Sequence, residues 1–263
     1  MKKIFLLLSI SFLLAFSSCD FLTQQDISEE DIVAGLKTAL EMGTDTSCTK
    51  LNKTNGYYGN ELVKILLPPE ANQMFSLLDN PTLQALGLDI LLQRKIDTVI
   101  LAINRSAEDA AIEAKPIFLN AITNMSITDG LNILQGSTAY LNSKDTVTFD
   151  SLAATHYMEF ATREELFNLY APKINASLDK DLGLGVTAND AWATLLYFYN
   201  NYLPIFVSDI TPVDEVDLGD FATDKGLDGL FYFVGNQEKQ IREDPYKWGS
   251  DIIEEVFGYV YEE

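Results

Sequence analysis

The chain has 263 residues, a mass of 29.3 kDa and a hydrophobic fraction of 47%, and 22% of its residues are charged. These proportions exclude an intrinsically disordered tail, a collagen-like repeat and a disulfide-stabilised miniprotein. Asp and Glu number 39 against 18 for Lys and Arg, so the formal net charge is -21 and the isoelectric point is near 4.2. Because affinity for nucleic acids comes largely from cationic side chains, this charge excludes DNA and RNA as partners.

The N-terminal end has the pattern of an exported lipoprotein. Residues 1–3 carry two lysines, and residues 4–16 form an apolar run interrupted only by two serines. This run is shorter than the roughly 20 apolar residues that a membrane-spanning helix needs, and its length is typical of a signal-peptide core. Two further serines precede Cys19, which resembles a bacterial lipobox. We therefore predict a signal peptide over residues 1–18, acylation of Cys19 and a tether over residues 19–27; an ordinary secretory signal is the alternative.

Acylation of Cys19 would leave Cys48 without a partner, because the chain has no third cysteine. The fold is therefore expected to be stable without a disulfide bond, even outside the cytoplasm. A reactive thiol needs a cationic neighbour that lowers its pKa, and Lys50 is the only cation near Cys48 in the sequence. We expect Cys48 to be buried in a helix rather than to act as a nucleophile.

The remainder of the chain, residues 28–263, predicts a single all-α, bundle-like domain. Apolar residues recur at helical spacing throughout it, and no fixed-period repeat or long linker divides it. Ser28 and the three acids after it form a helix-capping signal. A strongly helical pattern extends over residues 89–124, with a kink expected at Pro116. At most one short extended segment is expected, near residues 62–67, where an apolar run has no evident partner strand.

Further helix boundaries are predicted in the second half of the body. Residues 162–165 (Thr-Arg-Glu-Glu) form a capping box, which predicts the start of a helix that bends at Pro172. Asn189 is expected to cap the next helix, and a long helix is expected through residues 221–244. Ser250 is expected to cap the last helix.

Few residues of the body suggest catalysis. His156 is the only histidine, so a zinc site of the His/Cys type is nearly excluded and a packed or surface role is favoured. The Gly-x-Ser-x-Gly motif is absent, as are the glycine-rich motifs that bind nucleotides, and no cofactor is predicted. Tyr57 and Tyr58 lie in a loop rather than at helical spacing, so we interpret them as a candidate exposed contact surface.

Carboxylates are abundant over residues 209–228, along one loop and the helix that follows it. Two carboxylates at a suitable separation suffice for glycoside hydrolysis, and several oxygen ligands together suit Ca²⁺. Asp214, Asp217 and Asp220 are the candidate metal ligands of this run. A solvated negative surface is the favoured interpretation of this run.

Several blocks of sequence together resemble a known family. Residues 56–60 (Gly-Tyr-Tyr-Gly-Asn) and 64–68 (Lys-Ile-Leu-Leu-Pro) are similar to one of its signatures. Residues 104–111 (Asn-Arg-Ser-Ala-Glu-Asp-Ala-Ala), 153–157 (Ala-Ala-Thr-His-Tyr) and 227–231 (Leu-Asp-Gly-Leu-Phe) are similar to three others. The family is the bacterial envelope group called domain of unknown function 4197.

The resemblance extends over residues 31–258 and implies an exported all-α protein with no established activity. Two features depart from the family pattern. Residues 137–152 resemble an insertion, and Gly226 stands where the family usually has alanine. The insertion affects the local geometry that we expect, but not the expected fold.

Five charged residues lie in otherwise apolar helical segments of the chain: Arg105, Glu108, Asp228, Glu238 and Arg242. Arg105 and Glu108 are three residues apart, and Glu238 and Arg242 are four apart, so each pair can meet on its own helix. We hypothesise that the two helices face each other and join these charges in one partly buried network. Separate surface ion pairs, each contributing less than about 1 kcal/mol, are the alternative.

Together these features predict a lipid-anchored protein of the bacterial cell envelope, at its periplasmic or surface face. The chain would reach the membrane through its N-terminal lipid, and its helical body is expected to bind an envelope protein or a small ligand without catalysis. The alternative is a carboxylate-dependent hydrolase or a Ca²⁺-binding protein that uses the acids of residues 209–228.

Overall fold

The computed structural model describes residues 27–128, 130–137, 149–214 and 216–261. The predicted signal peptide, Cys19, most of the tether and most of the segment 137–152 lie outside the described residues. The described ranges contain nine α-helices: α1 (Glu29–Leu51), α2 (Gln73–Ser76), α3 (Pro81–Leu86), α4 (Leu88–Asn124), α5 (Gly130–Leu134), α6 (Ala153–Leu178), α7 (Ala188–Tyr197), α8 (Leu218–Glu243) and α9 (Asp251–Tyr261). No β-strand occurs in these ranges, and the prediction of an all-α fold is confirmed.

Four long helices form the centre of the fold. α1 packs against α4, α4 against α6, α6 against α8, and α8 against α1, so the four helices enclose an apolar core. Large side chains from all four are completely or almost completely buried there: Leu36, Leu40, Ile103, Phe118, Tyr170 and Leu230. The shorter helix α9 packs on α1, and α7 packs on α4. Burial of these apolar side chains is the main favourable contribution to folding.

Local sequence signals account for several of the helix boundaries. The Ser28 hydroxyl accepts a hydrogen bond from the backbone N–H of Asp31, which confirms the predicted cap of α1. The predicted helix over residues 89–124 is also confirmed, and α4 continues past Pro116 to Asn124. The segment near residues 62–67 is irregular rather than a strand, and it follows the turns after α1.

Two predicted caps are wrong. α6 begins at Ala153, so the capping box at residues 162–165 lies inside a helix rather than at its start. Thr162 is buried there, and its hydroxyl donates to the carbonyl of Met158 one turn earlier. The cap of α7 is Thr187, whose hydroxyl accepts from a backbone N–H of the first turn, whereas Asn189 lies within the helix.

Two glycines on α8 have different surroundings. A Cβ at Gly229 would collide with the ring of Tyr57, so the close approach of that ring requires the absence of a side chain. A Cβ at Gly226 would make ordinary van der Waals contacts with Tyr170 and Ile174. Gly226 therefore lowers the helix propensity of α8 without any packing requirement.

We predict that Gly226→Ala raises the free energy of unfolding by about 0.5–1 kcal/mol, because alanine reduces the conformational entropy of the unfolded chain. Gly229→Ala should lower it by about 1–3 kcal/mol, because the tyrosine ring must move. Thermal or denaturant unfolding of the two variants measures both effects. Equal changes in the two variants would contradict this description of the contact between Tyr57 and α8.

Candidate functional site

One face of α4 holds the irregular segment that follows α1. Asn104 is completely buried, and its side-chain amide bonds to both backbone groups of Ile65. The N–H of Ile65 donates to Asn104 Oδ1 at 2.9 Å, and Asn104 Nδ2 donates to the carbonyl of Ile65 at 2.7 Å. Buried backbone N–H and C=O groups need hydrogen-bond partners. The Asn104 side chain gives the backbone of Ile65 the partners that a neighbouring β-strand would give it in a sheet.

Glu108 lies one turn further along α4, and it is almost completely buried. Its Oε1 accepts hydrogen bonds from the backbone N–H groups of Tyr57 and Tyr58, at 3.2 and 3.0 Å. Its Oε2 accepts from Arg105, whose other terminal nitrogen donates to Asn55 Oδ1 at 2.8 Å. The carboxylate is thereby paired and hydrogen-bonded at both oxygens, which is the condition for retaining a buried charge.

Tyr57 is completely buried, so its predicted role in an exposed contact surface is wrong. Its hydroxyl donates to the carbonyl of Gly226 at 2.7 Å, and its ring packs against Gly229. Burial is the largest cause that raises the pKa of the Tyr57 phenol well above its ordinary value. Tyr58 is only partly buried, and the ammonium of Lys64 lies 4.7 Å from the centre of its ring. Only Tyr58 therefore remains available at the surface.

A second buried carboxylate, Glu238 on α8, holds the start of α6. It accepts from the backbone N–H groups of Ala154 and Thr155 at 3.0 and 2.7 Å, and from the Thr155 hydroxyl at 2.7 Å. Arg242 donates to the same carboxylate and also to the carbonyls of Ile133 and Leu134 at the end of α5. A negative charge at a helix N-terminus and a positive charge at a helix C-terminus are both favourable.

Asp228 belongs to a third, more exposed cluster. Arg163 on α6 donates to Asp224 at 2.6 Å and to Asp228 at 2.5 Å, and it also pairs with Glu159. Lys225 donates to Asp228 at 2.8 Å. The three carboxylates thus share two cations on the surface between α6 and α8.

The five charges singled out in the sequence therefore lie in three clusters rather than in one network. The two pairs within α4 and α8 form as their spacing indicates, between Arg105 and Glu108 and between Glu238 and Arg242. Each pair, however, bonds to backbone groups of a different neighbouring segment. The physical reason is that α4 and α8 pack mainly against α1 and α6 and have much less contact with each other.

The electrostatics of the third cluster favour the ionised form of Asp224. Partial burial alone would raise the pKa of the Asp224 carboxyl, but the hydrogen bonds and charges of Arg163 and Lys225 outweigh it and lower the pKa below 3.8. A carboxyl group that acts as a general acid near neutral pH needs its pKa shifted upward instead. Asp224 is therefore suited to ion pairing rather than to proton donation.

Two open clefts flank this cluster, and Asp228 lines both of them. The first, which we call the α8 groove, has a volume of about 300 Å³ and lies between residues 62–69 and α8. Its apolar lining includes Leu62, Leu66 and Phe221, and the first two are 72% and 56% exposed. Clustered exposed apolar side chains are typical of surfaces that bind partners. The α8 groove is our candidate functional site.

The second cleft has a volume of about 290 Å³, and His156 is one of its lining residues. The imidazole Nδ1 lies 2.8 Å from Asp150 Oδ2, and the side chain is 42% exposed. This hydrogen bond was not predicted from the sequence, because its partners are six positions apart and lie on either side of the start of α6. Of the packed and surface roles predicted for His156, this exposure favours the surface role.

Three acids of residues 209–228 have hydrogen-bonding partners within the fold: Asp217, Asp224 and Asp228. Asp217 is the N-cap of α8, and its carboxylate accepts from the backbone N–H of Asp220. Asp214 and Asp220 are exposed. Within the described ranges, no group of three His, Cys, Asp or Glu side chains is placed to hold a metal ion.

None of the helices in the described part of the chain is long and apolar enough to cross a membrane.

Cys48 is completely buried in α1, as predicted, and burial raises the pKa of its thiol to about 12. A thiol with such a pKa is protonated at neutral pH and is a poor nucleophile.

We predict that Glu108→Ala lowers the free energy of unfolding by about 3–5 kcal/mol, because it leaves Arg105 and the backbone N–H groups of Tyr57 and Tyr58 without their acceptor. The matched control is Glu113→Ala on the same helix, where an exposed pair with Lys173 is removed. That change should cost less than about 1 kcal/mol. Unfolding in guanidinium chloride measures both, and losses of similar size would contradict the proposed importance of the buried carboxylate.

Comparisons with known proteins identify the chain only at the level of its family. No curated protein and no solved structure matches it. The family model DUF4197, described as a protein of unknown function, matches residues 26–258. Because this match includes most of the chain, the resemblance seen in the sequence is confirmed, and the protein belongs to the DUF4197 family.

Proposed function

We propose that this protein is a lipid-anchored component of a bacterial cell envelope and that its helical body binds an apolar segment of another envelope protein in the α8 groove. The observation that carries the anchor is the apolar run of residues 4–16 followed by two serines and Cys19. A tether of residues 19–27 has a maximum reach of about 30 Å, so the body would stay close to the membrane surface.

The charge of the chain supports a lipid rather than an electrostatic anchor. The formal net charge is -21, and α1 begins with three acids immediately after its cap. Anionic lipid headgroups repel such a surface, because charges of the same sign within a Debye length destabilise the contact. Stable attachment therefore requires acyl chains, and two or more chains hold a protein far better than one.

Binding is supported by the construction of the α8 groove. One wall is the segment of residues 62–69, which Asn104 fixes through Ile65, and the other is the helix α8. Leu62 and Leu66 remain exposed beside Phe221, so a partner would bury apolar surface on both sides of the groove. A wall that is already fixed loses little conformational entropy on binding.

The anchor is tested by metabolic labelling of the full chain with an alkyne analogue of palmitate in bacteria. We expect the wild-type chain to be labelled and to sediment with membranes, and Cys19→Ser to lose both properties. Cys48→Ala is the matched control and should retain both. A label that persists in Cys19→Ser, or wild-type chain recovered without label in the soluble fraction, would overturn the anchor.

The groove is tested by chemical cross-linking in intact envelopes with the wild-type chain, Leu66→Glu and Leu86→Glu. Both leucines are more than half exposed, but only Leu66 lines the groove. We expect a discrete cross-linked complex that Leu66→Glu reduces at least tenfold and that Leu86→Glu retains. A complex with the same yield in both variants, or none with the wild-type chain, would argue against binding at this groove.

A further inference from the structure

The wall of the α8 groove that faces α8 is an extended stretch of backbone. Val63, Ile65 and Leu67 are buried, whereas Leu66 between the last two is 56% exposed. Burial that alternates with a period of two is typical of an extended chain, because successive side chains point to opposite faces. Pro68, which ends the stretch, is also extended, with φ -52° and ψ 144°. Residues 63–67 thus have the shape of a β-strand without a partner strand among the described residues.

One edge of this stretch is closed, and the other is open. The Asn104 side chain closes one edge, because it binds both the N–H and the carbonyl of Ile65. In an extended chain the backbone groups of neighbouring residues point to opposite edges, so those of Leu66 point away from Asn104. Neither the N–H nor the carbonyl of Leu66 has a hydrogen-bond partner among the described residues. Leu66 therefore presents a donor and an acceptor together on an open edge.

An open edge of this kind is a template for pairing with another extended chain. In an antiparallel pair, two residues that lie directly opposite exchange both N–H···O bonds, and Leu66 can make this exchange with one residue of a partner. The edge is short, because the N–H of Lys64 already donates to the carbonyl of Asn60 and Pro68 has no N–H. Side-chain contacts in the groove must therefore supply much of the affinity.

The lining of the groove is suited to apolar side chains. Phe221 and Gly229 of α8 line it across from the extended stretch, and Leu62 and Leu66 contribute exposed apolar surface. The side chains of an added strand alternate between two faces, so every second one would enter the groove and the others would face solvent. The groove therefore favours a partner segment with apolar residues at alternate positions.

The charges beside the groove favour basic residues at the remaining positions of that segment. Lys64 and Lys225, the two cations of the lining, already pair with acids of this chain. Glu70 and Asp220 directly adjoin lining residues in the sequence, are exposed, and have no ion-pair partner among the described residues. With a net charge of -21 for the whole chain, the unpaired charge beside the groove is negative. Charge complementarity thus attracts a basic segment and repels an acidic one.

We propose that the partner segment of the α8 groove is an extended peptide that pairs with the open edge of Leu66 as an added β-strand, with alternating apolar and basic side chains. This inference rests on the groove as the binding site of the proposed function and names the conformation and sequence class of its occupant. Main-chain hydrogen bonds contribute affinity for any sequence, whereas the groove and the neighbouring acids select the side chains.

The probe is the capped hexapeptide acetyl-Lys-Val-Lys-Val-Lys-Val-amide, added to the full chain in detergent at about 0.15 M salt, where long-range attraction between charges is screened. Calorimetric titration measures its affinity, and we expect a dissociation constant of about 100 μM or lower. Amide hydrogen exchange, measured by NMR on the nitrogen-labelled chain, reports the pairing itself. At saturation we expect exchange of the Leu66 amide to slow at least tenfold, while the Ile65 amide, already bound to Asn104, stays unchanged.

Two control peptides separate strand pairing from other contacts. The first is the same hexapeptide with an N-methyl group on every residue, which keeps the side chains and charges but cannot donate backbone hydrogen bonds. The second replaces each lysine of the peptide by glutamate, which reverses the charge. We expect each control to bind at least tenfold more weakly than the probe.

Two variants of the chain test the open edge directly. The N–H of Leu66 has no partner in the described fold, so Leu66→Pro removes a donor without breaking an internal hydrogen bond. Leu66→Ala is the matched control, because it shortens the side chain but keeps the N–H. We expect Leu66→Pro to bind the probe at least tenfold more weakly than Leu66→Ala. Thermal unfolding checks the fold of both variants, and the exchange measurement on the wild-type chain depends on neither.

Several results would overturn the inference. They are the absence of binding by the probe, equal affinity for the N-methylated peptide, and binding that leaves exchange of the Leu66 amide unchanged. A concentration-dependent dimer of the wild-type chain that Leu66→Pro dissociates would assign the edge to a second copy of this chain instead. Sedimentation of both chains without peptide measures that outcome.

Failure of this inference is distinguishable from failure of the proposed function. The cross-linked complex in intact envelopes reports on the groove whatever the conformation of the segment that binds there. A complex that Leu66→Glu reduces and Leu86→Glu retains, together with no binding of the hexapeptide, would retain the groove and reject the added strand.

Discussion

A carboxylate removed from water must be paired and hydrogen-bonded, because the effective cost of burying an unpaired ion is several kcal/mol. Glu108 and Glu238 both meet this condition in the same way. Each bonds to an arginine on its own helix and to two consecutive backbone N–H groups of another segment. Each buried carboxylate therefore accepts hydrogen bonds from backbone N–H groups that would otherwise lack a partner. For Glu108 these groups lie in the irregular segment after α1, and for Glu238 they lie in the first turn of α6.

The α8 groove depends on the contacts made from α4. The Glu108 carboxylate and the Asn104 amide hold the segment after α1 against α4, which places Leu62 and Leu66 beside α8. Glu238 holds the first turn of α6 in the same way. The long helices therefore fix the positions of the buried carboxylates. The carboxylates in turn hold the neighbouring backbone segments in place through hydrogen bonds.

This arrangement also gives a physical meaning to the motifs that identify the family. Residues 104–111 contain the amide and the carboxylate, and residues 56–60 and 64–68 contain the backbone groups that they bind. Residues 227–231 contain Gly229, whose lack of a side chain admits the Tyr57 ring. The sequence blocks that resemble the family thus contact one another within the fold. They do not by themselves indicate a catalytic centre.

Sequence reasoning succeeded where the determining interactions are local. The cap at Ser28 and the length of α4 follow from residues within one or a few turns. The spacing of three and four residues also predicted the ion pairs within α4 and within α8.

Sequence reasoning failed where the partner is distant in the chain. The start of α6 is stabilised by Glu238, more than eighty residues away, so a local capping box at residues 162–165 gave the wrong boundary. Tyr57 looked like an exposed loop residue, because its burial depends on Gly226 and Gly229 on α8.

The central claim is that a buried carboxylate on α4 fixes the segment after α1. Native-state hydrogen exchange of the Tyr57 and Tyr58 amides tests it most directly, with Glu108→Gln compared to the wild-type chain. We predict slow exchange of both amides in the wild type and much faster exchange in the variant, while the Ile65 amide, held by Asn104, stays protected in both. Rapid exchange of Tyr57 and Tyr58 in the wild type, or unchanged protection in Glu108→Gln, would contradict the account.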